Sequence, residues 1–191
     1  MATVSIIGTG NMGQAISGIV TKGGNAVEVF NQSTADKPVT GDIVVLAVPY
    51  AAVAGILATR ADELAGKIVV DITNPVNFET FDSLAVPADS SATAEIAAAL
   101  PQSRVLKAFN TNFATTLASG QVGALPTTVL IAGDDADAKA ELAGVITAGG
   151  LQAVDAGSLR RARELEALGF TQMTLAVGEK ISWTGGFAVI A

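Results

Sequence analysis

Cysteine and histidine are both absent from the 191 residues of this chain. The lack of cysteine excludes disulfides, cysteine nucleophiles and thiolate metal sites. The lack of histidine removes the most common metal ligand and the side chain that most often acts as a general acid or base. The composition therefore predicts that the chain has no metal site.

Positive charge and long apolar runs are also scarce. The formal net charge is −7, which disfavours nucleic acid as a partner. The longest mostly apolar run, Ile43–Ala58, is divided by Pro49 and is shorter than the roughly 20 residues that a membrane span requires. No basic leader precedes the first apolar segment. We therefore expect a cytoplasmic protein without a membrane partner.

Half of the residues are hydrophobic, and short apolar strands alternate with helical segments. This pattern predicts an α/β fold with a Rossmann-type doubly wound parallel sheet. Strands are expected at Thr3–Gly8, Val27–Asn31, Asp42–Val48, Lys67–Ile72, Arg104–Phe109, Thr127–Ala132 and Leu151–Asp155. Helices are expected at Met12–Lys22, Ala51–Arg60, Ala92–Leu100, Ala136–Ala148 and Arg160–Lys180. Residues 1–155 would form the nucleotide-binding domain. Residues 156–191 would add a C-terminal helix and a short final strand, Gly185–Ile190, packed on the same domain.

The most informative motif is a glycine-rich turn near the start of the chain. Residues 4–13 read VSIIGTGNMG, a β-branched strand that ends in G-x-G-x-x-G and opens a helix. Gly8 permits the turn, Gly10 lets the backbone approach a pyrophosphate, and Gly13 lets the helix pack against the strand. The helix N-terminus then presents free N–H groups to the phosphates. The motif predicts a dinucleotide site.

The connection after the second strand is too short for a complete Rossmann sheet. In the order 3-2-1-4-5-6, strand 2 leads to a helix and to strand 3 before strand 4. Here the ten residues Gln32–Gly41 reach at most about 33 Å, which is enough only to return along the sheet. We expect the third strand and its helix to be missing and the adenosine end of the site to be open.

The residues after the second strand favour NADP over NAD. An NAD site places Asp or Glu there to bind the ribose hydroxyls, whereas this chain has Asn31, Gln32 and Ser33, with Lys37 nearby. Amide and hydroxyl donors with a lysine can hold a 2′-phosphate that a carboxylate would repel. The alternative is a polar turn, which the same residue types also suit.

Three polar loops are expected to meet at the carboxyl edge of the sheet, where α/β proteins bind ligands. They are Val48–Tyr50, Asp71–Pro75 and Lys107–Asn112. Any one of them could be an ordinary turn, but the three together favour a binding site.

These motifs resemble the NADP oxidoreductases that depend on the deazaflavin coenzyme F420, and the cytosolic NADPH-binding part of transmembrane ferric reductases is similar. The resemblance is carried by Gly8–Gly13, Val48–Tyr50, Asn74-Pro75, Lys107–Thr111 and Asp155–Gly157. It implies pyrophosphate contacts from Thr9, Gly10, Asn11 and Met12 and 2′-phosphate contacts from Asn31, Gln32 and Lys37. It also implies a nicotinamide wall of Val48, Pro49, Tyr50, Asn74 and Ala114. The family pattern has arginines at positions 32 and 33, and archaeal members often have histidine at position 110.

Hydride transfer between NADPH and a flavin or F420 ring is chemistry of the cofactors themselves, which the protein orients. We therefore assign no catalytic acid or base, and we expect Asn110, Thr111 and Asn112 to bind the small-molecule hydride acceptor. One alternative is a non-catalytic NADP-sensing module. Another is a reductase of the pyrroline-5-carboxylate or β-hydroxyacid type, which would need a large helical domain after Asp155. The C-terminal segment is expected to complete the site wall across a homodimer.

Overall fold

The computed structural model describes residues 1–34 and 36–190. Its strands are β1 (Thr3–Ile7), β2 (Ala26–Phe30), β3 (Ile43–Leu46), β4 (Ile68–Asp71), β5 (Arg104–Lys107), β6 (Gln121–Val122), β7 (Leu125–Pro126), β8 (Thr128–Gly133) and β9 (Gln152–Gly157). Its α-helices are α1 (Asn11–Lys22), α2 (Tyr50–Leu64), α3 (Ala92–Ala99), α4 (Ala114–Ser119), α5 (Ala136–Ala148) and α6 (Ala162–Val177). None of these helices is long and apolar enough to cross a membrane.

A seven-stranded sheet with the order β2-β1-β3-β4-β5-β8-β9 organises the fold. The predicted α/β Rossmann-type architecture is confirmed, with β1 to β5 running parallel. The sheet departs from the predicted parallel arrangement at one edge, where β8 pairs antiparallel with β5 and β9 follows the direction of β8. Between β5 and β8 lie the six-residue helix α4 and the β6–β7 hairpin, neither of which was predicted. A helix of that length spans only about 9 Å, too little to return the chain to the opposite edge of the sheet.

Among the described residues, no third Rossmann strand or helix lies between β2 and β3, as predicted. The strand β2 forms the sheet edge and β1 pairs directly with β3. Gln32–Thr34 forms a single 3₁₀ turn, and Ala35 lies outside the described residues. The return segment is fixed by side chains, since the Val39 N–H donates to Glu63 Oε2 at 2.9 Å and Thr40 Oγ1 donates to Glu28 Oε1 at 2.5 Å.

Helices cover both faces of the sheet, and each face has its own apolar core. On one face, α1, α4 and α5 bury side chains such as Ile16, Leu117 and Leu142. On the other face, α2 and α3 bury Leu57 and Ile96. Because both faces are covered, the central strands are mainly apolar, and the ligand-accessible surface lies at the strand ends.

The C-terminal segment differs from its prediction. The helix α6 ends at Val177, and residues 185–190 form no strand, so the predicted final strand Gly185–Ile190 is wrong. Instead of pairing with a sheet edge, the Phe187 N–H donates to the side-chain oxygen of Gln172 at 2.9 Å. A side chain on α6 therefore holds this segment.

Candidate functional site

The glycine-rich turn has the close contacts that require glycine at two positions. A Cβ at Gly8, whose φ is +122°, would lie 2.0 Å from the Ala47 carbonyl oxygen. A Cβ at Gly13 would lie 2.3 Å from the Gly8 carbonyl oxygen, so this glycine lets α1 approach β1. At Gly10 a Cβ would meet nothing within 4 Å. The space over Gly10 is therefore left open at the N-terminus of α1, where an anion is favoured.

The loops after β1, β3, β4 and β5 open into one cleft of about 540 Å³ at the carboxyl edge of the sheet. It is lined by Gly10, Asn11, Met12, Ala47, Val48, Pro49, Tyr50, Ile72, Thr73, Asn74, Phe78, Asn110, Asn112, Phe113, Ala114, Thr115, Met173 and Trp183. The predicted residues Asn11, Met12, Val48, Pro49, Tyr50, Asn74, Ala114, Asn110 and Asn112 are thus brought together. Gly8, Thr9 and Gly13 shape the turn behind this wall and do not line it.

The amides of Asn74 and Asn110 face each other across the loops after β4 and β5. Asn74 Nδ2 donates to the Asn110 carbonyl oxygen, and Asn110 Nδ2 donates to Asn74 Oδ1, both at 2.9 Å. Asn110 Nδ2 also donates to the Leu165 carbonyl oxygen at 2.8 Å. The side chain of Thr111, in contrast, does not reach the cleft, and its carbonyl oxygen accepts from Gln172 Nε2. The structure therefore fixes the two asparagines as one unit.

Three buried polar atoms of cleft residues have no hydrogen-bond partner among the residues that the structure describes. They are Thr73 Oγ1, Asn110 Oδ1 and Asn112 Oδ1. Most buried polar atoms in proteins have a partner, so each exception calls for an explanation. All three atoms belong to residues that line the cleft.

A cluster of buried charges lies directly behind the loop after β4. Lys107 Nζ contacts Asp71 Oδ2 at 2.7 Å and Glu166 Oε1 at 3.0 Å, and all three side chains are fully buried. Lys107 also donates to the Thr73 carbonyl oxygen at 2.6 Å, and the Thr73 N–H donates to Asp71 at 2.8 Å. Both sides of Thr73 are thereby fixed, which sets the path of the chain into Asn74.

The N-terminus of α3 completes this charge cluster. The backbone N–H groups of Ala92 and Thr93 donate to the Glu166 carboxylate, and Thr93 Oγ1 donates to Asp71 Oδ2 at 2.8 Å. The parallel register pairs Asp71 with Lys107. This pairing follows from the sequence, because each residue lies at the carboxyl end of its strand and the two strands are neighbours. Glu166 was not predicted, because nothing in the sequence around α6 indicates which distant charge it meets.

Tyr50, at the start of α2, is held as a neutral phenol. Its hydroxyl donates to Glu95 Oε2 at 2.5 Å. Burial is the main cause that raises the pKa of Tyr50 to about 12, and the hydrogen bond and charge of Glu95 add to it. Tyr50 is therefore protonated at neutral pH and can line the cleft without acting as a base.

The residues expected at the 2′-phosphate lie on the exposed turn after β2, outside the main cleft. Asn31 Oδ1 accepts from the N–H and hydroxyl of Ser33 at 2.9 and 2.7 Å. Gln32 and Lys37 are exposed, and Asp36 adds a carboxylate beside the lysine. This turn therefore has its own internal hydrogen bonds as well as exposed polar side chains.

Arg60 lies behind the same turn and was not predicted. Its Nη1 donates to the Lys37 carbonyl oxygen at 3.1 Å, and its guanidinium lies 5.5 Å from the centre of the Phe30 ring. Arg60 also forms an ion pair with Glu63 at 2.9 Å.

In the described part of the chain, no cluster of three acidic, histidine or cysteine side chains could hold a metal ion.

Comparison with known proteins gives matches in sequence and in structure. Residues 22–75 match the family described as NADP oxidoreductase, coenzyme F420-dependent. The F420-dependent NADP reductase of Methanocaldococcus jannaschii is 28% identical over 173 residues, 87% of this chain and 76% of that protein. Metalloreductase STEAP3 of Rattus norvegicus is 38% identical over 112 residues, 59% of this chain. The chain matches only 22% of the length of the rat protein.

A solved structure, a putative F420-dependent NADP reductase from Arthrobacter sp. FB24, superposes with a TM-score of 0.88 and 25% sequence identity. The match covers 100% of both chains. The resemblance inferred from the motifs is confirmed: residues 22–75 match the model of this family, and the whole chain shares the fold of a putative F420-dependent NADP reductase.

Proposed function

We propose that the chain binds NADP(H) and transfers a hydride between NADPH and a flavin- or deazaflavin-like acceptor. The observation that carries this proposal is the single cleft that runs from the open N-terminus of α1 to the paired amides of Asn74 and Asn110. An anionic pyrophosphate is favoured at the first end. The side chains of Asn74, Asn110 and Asn112 at the second end suit an amide-bearing ring.

In this proposal the turn of Gly8, Thr9, Gly10, Asn11, Met12 and Gly13 binds the pyrophosphate. The open space over Gly10 fits a phosphate that approaches the backbone closely. The loops after β1, β3, β4 and β5 lie in that order along the sheet edge. A dinucleotide that starts at Gly10 and crosses this edge therefore brings its nicotinamide half to Val48, Pro49, Tyr50, Asn74 and Ala114.

We assign the 2′-phosphate to the turn that contains Asn31, Gln32, Ser33 and Lys37. Lys37 supplies a positive charge, and the exposed amides and hydroxyl supply donors. Since β2 is the edge strand of the sheet that the described residues form, this end of the site is open. Because the chain as a whole is negatively charged, the local positive charge of Lys37 matters more for attracting an anionic ligand.

When bound, NADPH supplies the hydride, and the acceptor gains that hydride together with a proton from solvent. The protein orients the two rings and excludes water. Asn110 and Asn112 are proposed to bind the acceptor side. Thr111 would act through its backbone, because its carbonyl oxygen holds Gln172. No protein side chain needs to gain or lose a proton in this reaction.

Stopped-flow oxidation of NADPH by a 5-deazaflavin, FMN and a quinone tests the proposed reaction. We expect saturable loss of reduced-nicotinamide absorbance with at least one flavin-like acceptor. NADPH binding without turnover by any of the three would refute the hydride-transfer proposal. That result would favour the alternative, a non-catalytic NADP-sensing module, which the open adenosine end also suits.

We also propose a cytoplasmic homodimer. In this homodimer each subunit completes its own cleft, because Trp183 on the segment after α6 lines the cleft of its own chain. The expectation that this segment completes the wall across the dimer is thereby corrected. Sedimentation velocity of the purified chain distinguishes monomer from dimer, and cell fractionation tests the compartment.

A further inference from the structure

Two exposed aromatic side chains stand at the cleft in addition to the polar residues discussed above. Trp183 is 49% exposed and Phe78 is 67% exposed, and both line the cleft. Only 5% of the chain is aromatic. Ligand pockets are lined predominantly by apolar and aromatic side chains, so these two residues are candidates for ligand contacts.

Trp183 is held in place although the segment around it has no regular secondary structure. Its ring packs on Phe113 with the ring centres 4.8 Å apart, and its carbonyl oxygen accepts from the hydroxyl of Thr115. After it, the N–H of Phe187 donates to Gln172 Oε1, and the side chain of Gln172 is 2% exposed. The backbone is therefore fixed at Trp183 and again at Phe187, while the indole keeps about half of its surface open.

Phe78 is supported by a row of aromatic rings from the loop after β4 to α6. Its ring centre lies 6.0 Å from that of Phe81, which lies 6.1 Å from that of Phe170 in an edge-on arrangement. Phe81 has a φ of +53°, a left-handed conformation that is uncommon for a bulky residue and is maintained by its surroundings. The N–H of Phe81 donates to the Asn77 carbonyl oxygen at 2.7 Å.

The charge of the cleft narrows the choice of ligand. Of the described residues that line it, none is Asp, Glu, Lys or Arg. A carboxylate substrate such as an oxo acid would find no cation among them, and a metal ion would find no carboxylate. Flat aromatic side chains bind planar rings by stacking, with about 0.5–1.5 kcal/mol beyond the area that is buried.

We propose that Trp183 and Phe78 form the acceptor subsite and select an uncharged, planar fused ring. This inference rests on the proposed function, because it names the residues that recognise the second substrate. In it, Asn74 serves the nicotinamide side, Asn110 and Asn112 bind polar atoms of the acceptor, and the two aromatic residues stack on the acceptor ring. Trp183 is a specificity-determining residue and takes no part in the chemistry.

Trp183 is the single tryptophan of the chain, so tryptophan fluorescence reports on this subsite alone. The intact protein saturated with NADP⁺ is titrated with riboflavin or with a 5-deazaflavin. We expect saturable quenching, because a ring stacked on the indole accepts its excitation energy. A quenching that rises linearly with ligand, as collisions in solution produce, would overturn the proposal.

Variants then separate recognition from folding. Trp183→Ala should raise the KM for the flavin or deazaflavin about tenfold and leave the KM for NADPH within about twofold. Trp183→Phe should retain most of the affinity, since it keeps an aromatic face. Phe187→Ala is the matched control, because it truncates an exposed aromatic residue of the same segment that does not line the cleft. Circular dichroism checks that each variant is folded.

The outcomes distinguish this inference from the proposed function. Saturable quenching without NADPH oxidation would support the subsite and refute hydride transfer. Turnover with unchanged acceptor KM in both Trp183→Ala and Phe78→Ala would overturn the subsite and leave hydride transfer in place. Equal effects of Trp183→Ala and Phe187→Ala would also overturn it, because they would indicate a general disturbance of the segment.

Discussion

Replacement of Lys107 by methionine removes the positive charge from the buried cluster behind the cleft. Methionine keeps most of the side-chain length, so the loss is mainly that of the ammonium and its contacts at 2.6, 2.7 and 3.0 Å. Asp71 and Glu166 would remain as fully buried carboxylates without their cation. Breaking a buried ion pair by removing one partner costs about 3–5 kcal/mol.

We therefore expect Lys107→Met to lower the free energy of unfolding by about 3–5 kcal/mol. For a chain of this size, each kcal/mol shifts the melting temperature by about 2–4 °C, so the loss is about 6–20 °C. Urea unfolding followed by circular dichroism measures the change, with an unchanged m-value as the sign that only stability has changed. Because stabilities of whole domains are about 5–15 kcal/mol, the variant is expected to be marginal.

The chain provides a matched control in Lys139→Met. Lys139 forms an ion pair with Asp155 at 2.8 Å, but the Asp155 side chain is 59% exposed, and an exposed pair contributes about 0–1 kcal/mol. A milder change, Thr93→Val, removes the hydroxyl that bonds Asp71 and is expected to cost about 1.5–3 kcal/mol. If Lys107→Met destabilised the protein no more than Lys139→Met, the cluster would not hold the loop as described.

Three further predictions concern the nucleotide and the cleft. Gly10→Ala should fold normally, because the new Cβ meets no protein atom within 4 Å. The same variant should weaken NADPH binding, measured by calorimetry, at least about tenfold. Gly13→Ala should instead lose stability, because of the 2.3 Å approach to the Gly8 carbonyl oxygen; equal melting temperatures for the two variants would contradict this. Asn31→Asp should weaken NADPH binding about tenfold and leave NADH binding nearly unchanged. If the native protein bound NADH more tightly than NADPH, the preference for NADP would be overturned. Tyr50 is the single tyrosine of the chain, so its ionisation is visible in ultraviolet absorbance. The midpoint of this titration should lie near pH 12. The neutral phenol then contributes its full share of the free energy of unfolding below about pH 10, and this contribution is lost as the pH rises through 12. A midpoint at or below pH 10 would refute the burial assigned to Tyr50.

Structural features that depend on neighbouring residues in the chain were predictable from the sequence. The apolar runs between turn residues gave the strands of the main sheet to within a few residues, and the glycine spacing gave the turn before α1. The length of Gln32–Gly41 predicted the missing third strand, because ten residues have a limited reach.

Features that depend on distant contacts were not predictable. The reversed direction of β8 depends on α4, whose six residues carry no strong helical period. The partner of Lys107 on α6 is 59 positions away, and nothing local distinguishes Glu166 from other acidic residues. Trp183 lies at the cleft because its carbonyl oxygen accepts from Thr115 and the Phe187 N–H donates to Gln172. These distant hydrogen bonds stand in place of the strand that was expected there.

Transfer of deuterium tests the central claim most directly. NADPH labelled with deuterium at the reactive carbon of its nicotinamide ring is mixed with the protein and a 5-deazaflavin in ordinary water, and the reduced deazaflavin is analysed by mass spectrometry. Because the reduced deazaflavin holds the transferred hydrogen on carbon, the account predicts that it carries the deuterium from one stereochemical position of NADPH and none from the other. Reduced product without label from either position, or no reduced product at all, would contradict hydride transfer in this cleft.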